Sequence, residues 1–282
     1  MWRPGAGWRP CDEGRGNGET VNEETVTRLV APAKLTVSLR VTGVRPDGYH
    51  ELDAEMVTLD LVDELELDPG GSGLAVAFEQ GVLPDGLPAP GQNLVERALI
   101  ACGRTAGVRL TKRIPLGGGL GGGSADAAAV LRWAGCADMG VAVRLGADVP
   151  FCLLGGRGRV EGVGEKVTPL PFEPRQYLLL LPPFGVETGL VYRAWDQAPG
   201  DDGPNALTAA ALAVEPRLAA WRDALGDWAG VAPVLAGSGS TWFVEGGAVG
   251  GAGSDIPQHL RVGAETGLLV LARTVPAGWE GD

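Results

Sequence analysis

"KRIPLGGGLGGGSADAAAVL", residues 112–131, sets six glycines into the seven positions 117–123 and follows them at once with an alanine-rich run. Glycine has no Cβ, so successive residues can take positive φ and turn their N–H groups into one concavity, which is an anion site. "SADAAAVLRW" then offers Ser124 as an N-cap, four alanines, and no breaker before Gly135. The helix it predicts would add free N–H groups and a positive dipole end to the loop. Upstream, "GVRLTKRI" reads as a strand, so the order is strand, glycine loop, helix. A flexible linker is seldom wedged that tightly between two elements. The stretch lacks the Gly-Lys-Ser/Thr ending of a Walker A loop, and no strand with an acidic residue follows at dinucleotide-fold spacing.

A cradle built from backbone suits the rest of the composition. The chain has 282 residues, 45% of them hydrophobic, with a formal net charge of −12. Such a charge argues against nucleic-acid and anionic-membrane partners, which need dense Lys and Arg. Cys11, Cys102, Cys136 and Cys152 form no C-x-x-C pair, so reduced thiols and a cytoplasmic location are expected rather than zinc or disulfides. His50 and His259 are the only histidines, which excludes a multi-histidine metal site. No apolar run reaches the ~18 residues of a membrane span. Residues 1–27 carry Gly, Pro and charge without an apolar core, and are read as a disordered extension.

Periodicity predicts strands near 28–42, 52–60 and 63–68, with "RPDGYH" (45–50) as a turn set by Pro46 and Gly48. "NLVERALIACG" (93–103) has helical spacing. "FCLLG" (151–155) and "GRVEGVGEKVTPL" (158–170) read as strands around tight turns, and "YLLLLPP" (177–183) as a buried strand opening a second domain. Helices are expected around 189–198 and 207–226, then a strand pair split by glycine in "VAPVLAGSGSTWFVEGG" (231–247), a flexible loop at 246–257, and a closing strand "TGLLVLARTV" (266–275). Without regular βαβ alternation, the expectation is an α+β fold of two domains joined near residue 170.

Three further spots carry chemistry. Lysine occurs only three times, at 34, 112 and 166, against 20 arginines (23 − 3). Lys34, inside the apolar "APAKLTVSL", therefore suggests a compact point charge, although a strand-end lysine reaching solvent has the same pattern. Asp148, in "LGADVPFCL", is either a cap or a carboxylate able to accept a hydroxyl proton. Tyr49 and His50, in the turn, pair an aromatic face with a two-sided hydrogen-bonding ring and read equally as surface residues or as a nucleobase contact.

"PAKL", "RPDGYHEL", "IPLGGGLGGGSADAAA", "LGADVPFC", "EGVGEKVTPL" and "AGSGST" occur in an order and spacing that resembles the GHMP kinase superfamily, in its branch acting on a cytidyl-linked sugar alcohol. The resemblance runs from about Arg28 to the C-terminus. It implies a ribosomal-S5-like nucleotide-binding domain over 28–170, a ferredoxin-like substrate domain over 171–282, and a site between them. It also implies transfer of the γ-phosphate of ATP, with Mg²⁺, to the 2-hydroxyl of 4-diphosphocytidyl-2-C-methyl-D-erythritol, a step of non-mevalonate isoprenoid synthesis, by a monomer or weak homodimer.

Carried over by residue, the resemblance makes Lys34 and Asp148 catalytic. It gives Asn93 and the loop Pro115, Leu116, Gly117, Gly118, Gly119, Leu120, Gly121, Gly122, Gly123 and Ser124 to ATP. Tyr49, His50 and Tyr192 fall to the cytosine, and Gly237, Ser238 and Gly239 to the substrate phosphates, with no protein ligand implied for the metal. The chain departs from the pattern at Thr36, where asparagine is usual, at Ala125 and Ala206, and in the shortened "GCADMGVAVR" (135–144) before Asp148. Two other readings follow: a GHMP kinase for a different small alcohol, or a nucleotide-binding protein whose catalysis the deletion impairs.

Overall fold

The computed structural model describes residues 26–79, 91–200, 203–246 and 256–281. The expected disordered extension therefore lies, up to residue 25, outside the described residues, as do residues 247–255 of the expected flexible loop. Two sheets carry the fold, the first mixed and the second antiparallel throughout. The first contains β1 (Thr27–Val44), β2 (His50–Asp68), β3 (Leu74–Phe78), β4 (Gly107–Lys112), β5 (Arg157–Gly162) and β6 (Lys166–Pro169) in the order β3-β4-β2-β5-β6, with β1 along β2. The second contains β7 (Gln176–Leu181), β8 (Val234–Leu235), β9 (Trp242–Glu245), β10 (His259–Val262) and β11 (Glu265–Arg273) in the order β10-β11-β7-β9-β8.

The sequence predicts two strands over 52–68, but β2 is continuous, because "DLVDEL" contains neither glycine nor proline to break it. What changes inside β2 is its second partner. Leu52–Val57 pair with β5 and Glu64–Asp68 pair with β4, while β1 follows both halves. Side chains and single bridges serve the gap. Thr58 exchanges hydrogen bonds with Gly156, Asp60 accepts from Arg273 N at 2.7 Å, and the Asp63 carboxylate accepts from the amides of Arg113 and Ile114.

Helix α1 (Leu94–Ala101) is the crossover between the parallel strands β3 and β4. Helix α2 (Gly122–Trp133) follows the glycine loop, and its residues from Ala125 to Leu131 are all buried. The alanines thus serve close packing against β1, α1 and α4 as much as helix propensity. The N-cap is Gly121, in the left-handed region at φ +67°, rather than Ser124, which lies one turn inside. The shortened segment forms α3 (Met139–Leu145), capped by Asp138. "FCLLG", read as a strand, belongs to helix α4 (Val149–Leu154): a short apolar run does not distinguish the two, and Pro150 fits the first helical turn. The helix expected over 207–226 is broken near Pro216 into α6 (Thr208–Val214) and α7 (Leu218–Ala229), and α5 (Thr188–Gln197) precedes them.

Two of the three apolar cores draw on both sheets. Leu39, Ala54, Met56 and Phe151 pack with Leu178, Trp221 and Trp242, while Leu35, Leu59 and Leu120 pack with Tyr177, Leu179 and Phe243. The glycine loop is pinned in this seam. A Cβ on Gly119 (φ +77°) would sit 2.1 Å from the Ala236 carbonyl oxygen of the β8–β9 turn. Gly119→Ala is expected to lower unfolding free energy by about 1–3 kcal/mol. Gly48→Ala, at φ +85° with nothing nearby, is expected to lose only about 1 kcal/mol. Equal denaturant midpoints for the two variants would show that the close approach is not what holds the loop.

Candidate functional site

Three elements meet around the glycine loop: β1, the N-terminus of α2, and the β8–β9 turn. The loop is built as an alternation. Gly117, Gly119 and Gly121 have φ of +67°, +77° and +67°, whereas the residues between them do not have positive φ. That sequence of signs makes a backbone nest, with amides converging on one side. Four of its carbonyls accept hydrogen bonds from the protein. Gly117 O accepts from Ser240 N and Val186 N, Gly118 O from Thr241 N, Leu120 O from Lys34 N, and Gly121 O from Ala125 N. The N–H groups of residues 117–124 have no acceptor among the described residues. Eight consecutive unpaired donors at a helix N-terminus can hold a polyanion without a basic side chain.

Glycine is required here mainly by close approach within the chain. A Cβ on Gly121 would lie 2.8 Å from Lys34 Cγ, and one on Gly122 would lie 3.0 Å from Ile114 Cγ2. A Gly122→Val change would therefore push the first turn of α2 off its floor.

Lys34 lies under the loop. It is 5% exposed, donates to Thr36 Oγ1 at 3.1 Å, and its Nζ is 3.4 Å from Asp148 Oδ2. Asp148 stands at the N-cap of α4 but makes no side-chain cap bond, so its carboxylate is left to the cleft. The structure thus joins two residues 114 positions apart (148 − 34), and the shortened segment before Asp148 does not prevent it.

Lys34, Thr36, Asp148, loop residues 115–124, Thr188, Tyr192, Gly237 and Ser238 line one cleft of about 340 Å³, floored by Leu39, Leu52 and Met56. Asn205 shapes its second glycine turn, donating to Leu235 O and Gly237 O and accepting from Leu207 N. Ser238 shares a 2.9 Å hydrogen bond with Thr188. Gly239 turns away and packs near Leu235. Asn93 is not among the lining residues: its carboxamide oxygen caps α1 through Val95 N at 2.9 Å.

At one end of the cleft the His50 ring stacks on Tyr192 with centroids 4.6 Å apart and meets Trp195 edge-on at 5.6 Å. His50 Nε2 is 2.7 Å from Asp196 Oδ1. Burial, with the Asp148 charge adding to it, pushes the Tyr192 phenol well above its ordinary range, so it stays a neutral donor. Tyr49 is 65% exposed and does not join this stack. Trp195, Asp196 and Thr188 escaped the sequence reading because an amphipathic helix gives them no local mark.

Residues 93–156 match the family described as the GHMP kinases N terminal domain. The 4-diphosphocytidyl-2-C-methyl-D-erythritol kinase of Paracoccus denitrificans is 40% identical, covering 77% of this chain and 85% of that protein. The enzyme of the same name from Deinococcus radiodurans is 37% identical, with 88% and 90% covered. A crystal structure of 4-(cytidine 5'-diphospho)-2C-methyl-D-erythritol kinase superposes with a TM-score of 0.61 at 36% identity, over 77% of this chain and 89% of that one. The mevalonate kinase of Methanococcus jannaschii, 11% identical with a TM-score of 0.51 over 79% of this chain and 92% of that one, shares the fold. This chain, with its two-sheet α+β architecture and its amide-lined loop, belongs to the 4-diphosphocytidyl-2-C-methyl-D-erythritol kinase family of the GHMP kinases.

Proposed function

We propose that the chain phosphorylates the 2-hydroxyl of 4-diphosphocytidyl-2-C-methyl-D-erythritol at the expense of ATP, within non-mevalonate isoprenoid synthesis. Family membership makes it an ATP-dependent kinase. The observation that carries the assignment of the site is the row of unpaired amides at 117–124 beside the Lys34–Asp148 pair. In this reading residues 28–170 form the ATP-binding domain and 171–282 the substrate domain. The triphosphate lies along the loop from Pro115 to Ser124. Gly237 and Ser238 lie near the substrate diphosphate, and Tyr49, His50 and Tyr192 receive the cytosine.

Asp148 accepts the proton of the 2-hydroxyl as its oxygen bonds to the γ-phosphorus and the bond to the ADP oxygen breaks. Lys34, held by Thr36, pairs with Asp148 and offsets charge on the transferring oxygens. Mg²⁺ supplies charge neutralisation to the phosphates when bound. Asp148 is the one carboxylate among the lining residues, and the described residues hold no group of three or more His, Cys, Asp or Glu placed for a metal. That donor set would suit an ion carried by phosphate and water, with Asp148 the one lining carboxylate that could help hold it. The departure at Thr36 retains a hydroxyl that the Lys34 ammonium uses.

The described residues contain no helix long and apolar enough to cross a membrane. A cytoplasmic monomer or weak homodimer is the form we assign, in keeping with the acidic surface and small-molecule substrate.

A coupled assay of ADP formation tests the reading: release should require the cytidyl substrate. ADP formed with other small alcohols but not with this one would sink the substrate assignment in favour of a different GHMP kinase, and ATP binding without any turnover would sink catalysis. Asp148→Asn is expected to lower kcat by about 10²–10⁴-fold with ATP affinity retained. Tyr49→Ala should raise KM for the cytidyl substrate by roughly 5- to 150-fold, the loss of one stacked base, and leave KM for ATP alone. A matched loss of ATP affinity in both variants would contradict this division of roles.

A further inference from the structure

Beneath the cradle lies a charge cluster that the reaction does not use. Lys112 at the end of β4, Asp63 in β2 and Asp126 in α2 are 3%, 0% and 2% exposed. Lys112 Nζ donates to Asp63 Oδ2 and, at 2.7 Å, to Asp126 Oδ2. Asp63 Oδ1 accepts from Arg113 N at 2.5 Å and Ile114 N at 2.8 Å, which fixes that carboxylate from the other side. Asp126 Oδ1 has no hydrogen-bond partner among the described residues. A Cβ on Gly122 would lie 3.1 Å from Lys112 Nζ, so the ammonium sits directly against the first residue of α2.

With all three groups ionised, the cluster carries one positive and two negative charges, a net −1, immediately behind amides assigned to a polyphosphate. A buried negative charge there opposes anion binding, and low local dielectric leaves it poorly screened. A proton on Asp126 removes the excess charge and occupies the oxygen that lacks a partner.

We propose that Lys112 and Asp126 are positioning residues for ATP: they tie the first turn of α2 to β2 and β4, and the cradle binds the triphosphate most tightly when Asp126 is protonated. The inference rests on the reading of residues 117–124 as the phosphate site. Burial, only partly offset by Lys112, pushes the Asp126 carboxyl up to about 7, while its two carboxylate partners outweigh burial and hold Lys112 in its charged form.

The other elements packed on α2 bring no competing charge into contact. From α4 comes the Cys152 thiol, pushed up to about 12 by burial and therefore neutral. From β1 comes Lys34, paired with Asp148. The charged groups of α1 and α3 are engaged elsewhere, Glu96 with Gly91 N and Arg97 with the Arg144 carbonyl, and the Arg144 side chain is exposed.

The sign follows from the raised value: the proton is present below it and lost above it, so ATP affinity should fall as pH rises through neutrality. Asp126→Asn keeps the shape and the Lys112 hydrogen bond while fixing the cluster at net zero. ATP dissociation constants of the full-length wild type and variant, measured calorimetrically from about pH 6 to about pH 8.5, cancel the ionisation of ATP itself when taken as a ratio.

The ratio of wild type to variant is expected to rise roughly fivefold across that range, the lower end of typical coupling between linked sites. A pH-independent ratio, whatever the loss of thermal stability, would assign Asp126 a structural role only and overturn the proposal. If the variant does not fold, wild-type titrations at neutral pH in buffers of different ionisation enthalpy replace it. Proton uptake beyond that of ATP alone supports the inference, and its absence overturns it. Failure of the wild type to bind ATP at any pH would instead overturn the phosphate-site reading from which the inference starts.

Discussion

The site depends on one orientation of backbone: the carbonyls of the glycine loop are spent on the protein, and its amides are not. Four carbonyl oxygens between Gly117 and Gly121 accept from β1, the β7–α5 connection, the β8–β9 turn and α2. Each such bond rotates a peptide plane and commits its N–H to the opposite side. Alternating positive φ at Gly117, Gly119 and Gly121 lets consecutive planes face the same way. Because the acceptor-side contacts come from both sheets, the cradle has its shape only when the two sheets are packed. A folded seam is therefore a precondition of the cradle.

Charge follows the same economy. Arginine does the surface pairing, as in Arg159 with Asp53 and Arg217 with Glu215, where exposed pairs contribute little to stability. Two of the three lysines are instead buried, Lys34 at 5% exposure against Gly121 and Lys112 at 3% against Gly122. A compact ammonium fits such places where a planar guanidinium would not. In a chain with net charge −12, both buried cations are paired within the protein, Lys34 with Asp148 and Lys112 with Asp63 and Asp126.

Much of this was legible in the sequence, because the loop, its flanking strand and its helix are adjacent in the chain and carry their own marks. The scarcity of lysine singled out Lys34, although its partner could not be derived: Asp148 becomes a neighbour only through the packing of α4 on α2 and β1. The "FCLLG" run was misread for the opposite reason, since four apolar residues beside a proline carry no period. Ser124 was misread as a cap because side-chain preference favours it, whereas the left-handed Gly121 ends the loop one turn earlier. Asp63 and Asp126 carry no sequence signal at all. One interrupts a strand that otherwise alternates, the other sits among alanines, and both look like solvent-facing carboxylates until β2 changes partner and the helix is buried on every side.

The far end of the cleft holds an aromatic cluster that is already closed. His50 and Tyr192 are already at ring-contact distance, so a base cannot slide between them as they stand. Tyr49, one residue earlier and just outside β2, is exposed and stacks on nothing in that cluster. An aromatic left in water beside a filled stack is the surface to which an additional ring adds apolar burial at least cost. The Asp196 contact meanwhile holds the His50 ring at one nitrogen and leaves its other edge to set the polarity of whatever docks there. In the proposed reading Tyr49 gives this end area and His50 selectivity, while Tyr192 and Trp195, both in ring contact with the imidazole, complete the aromatic end of the cleft.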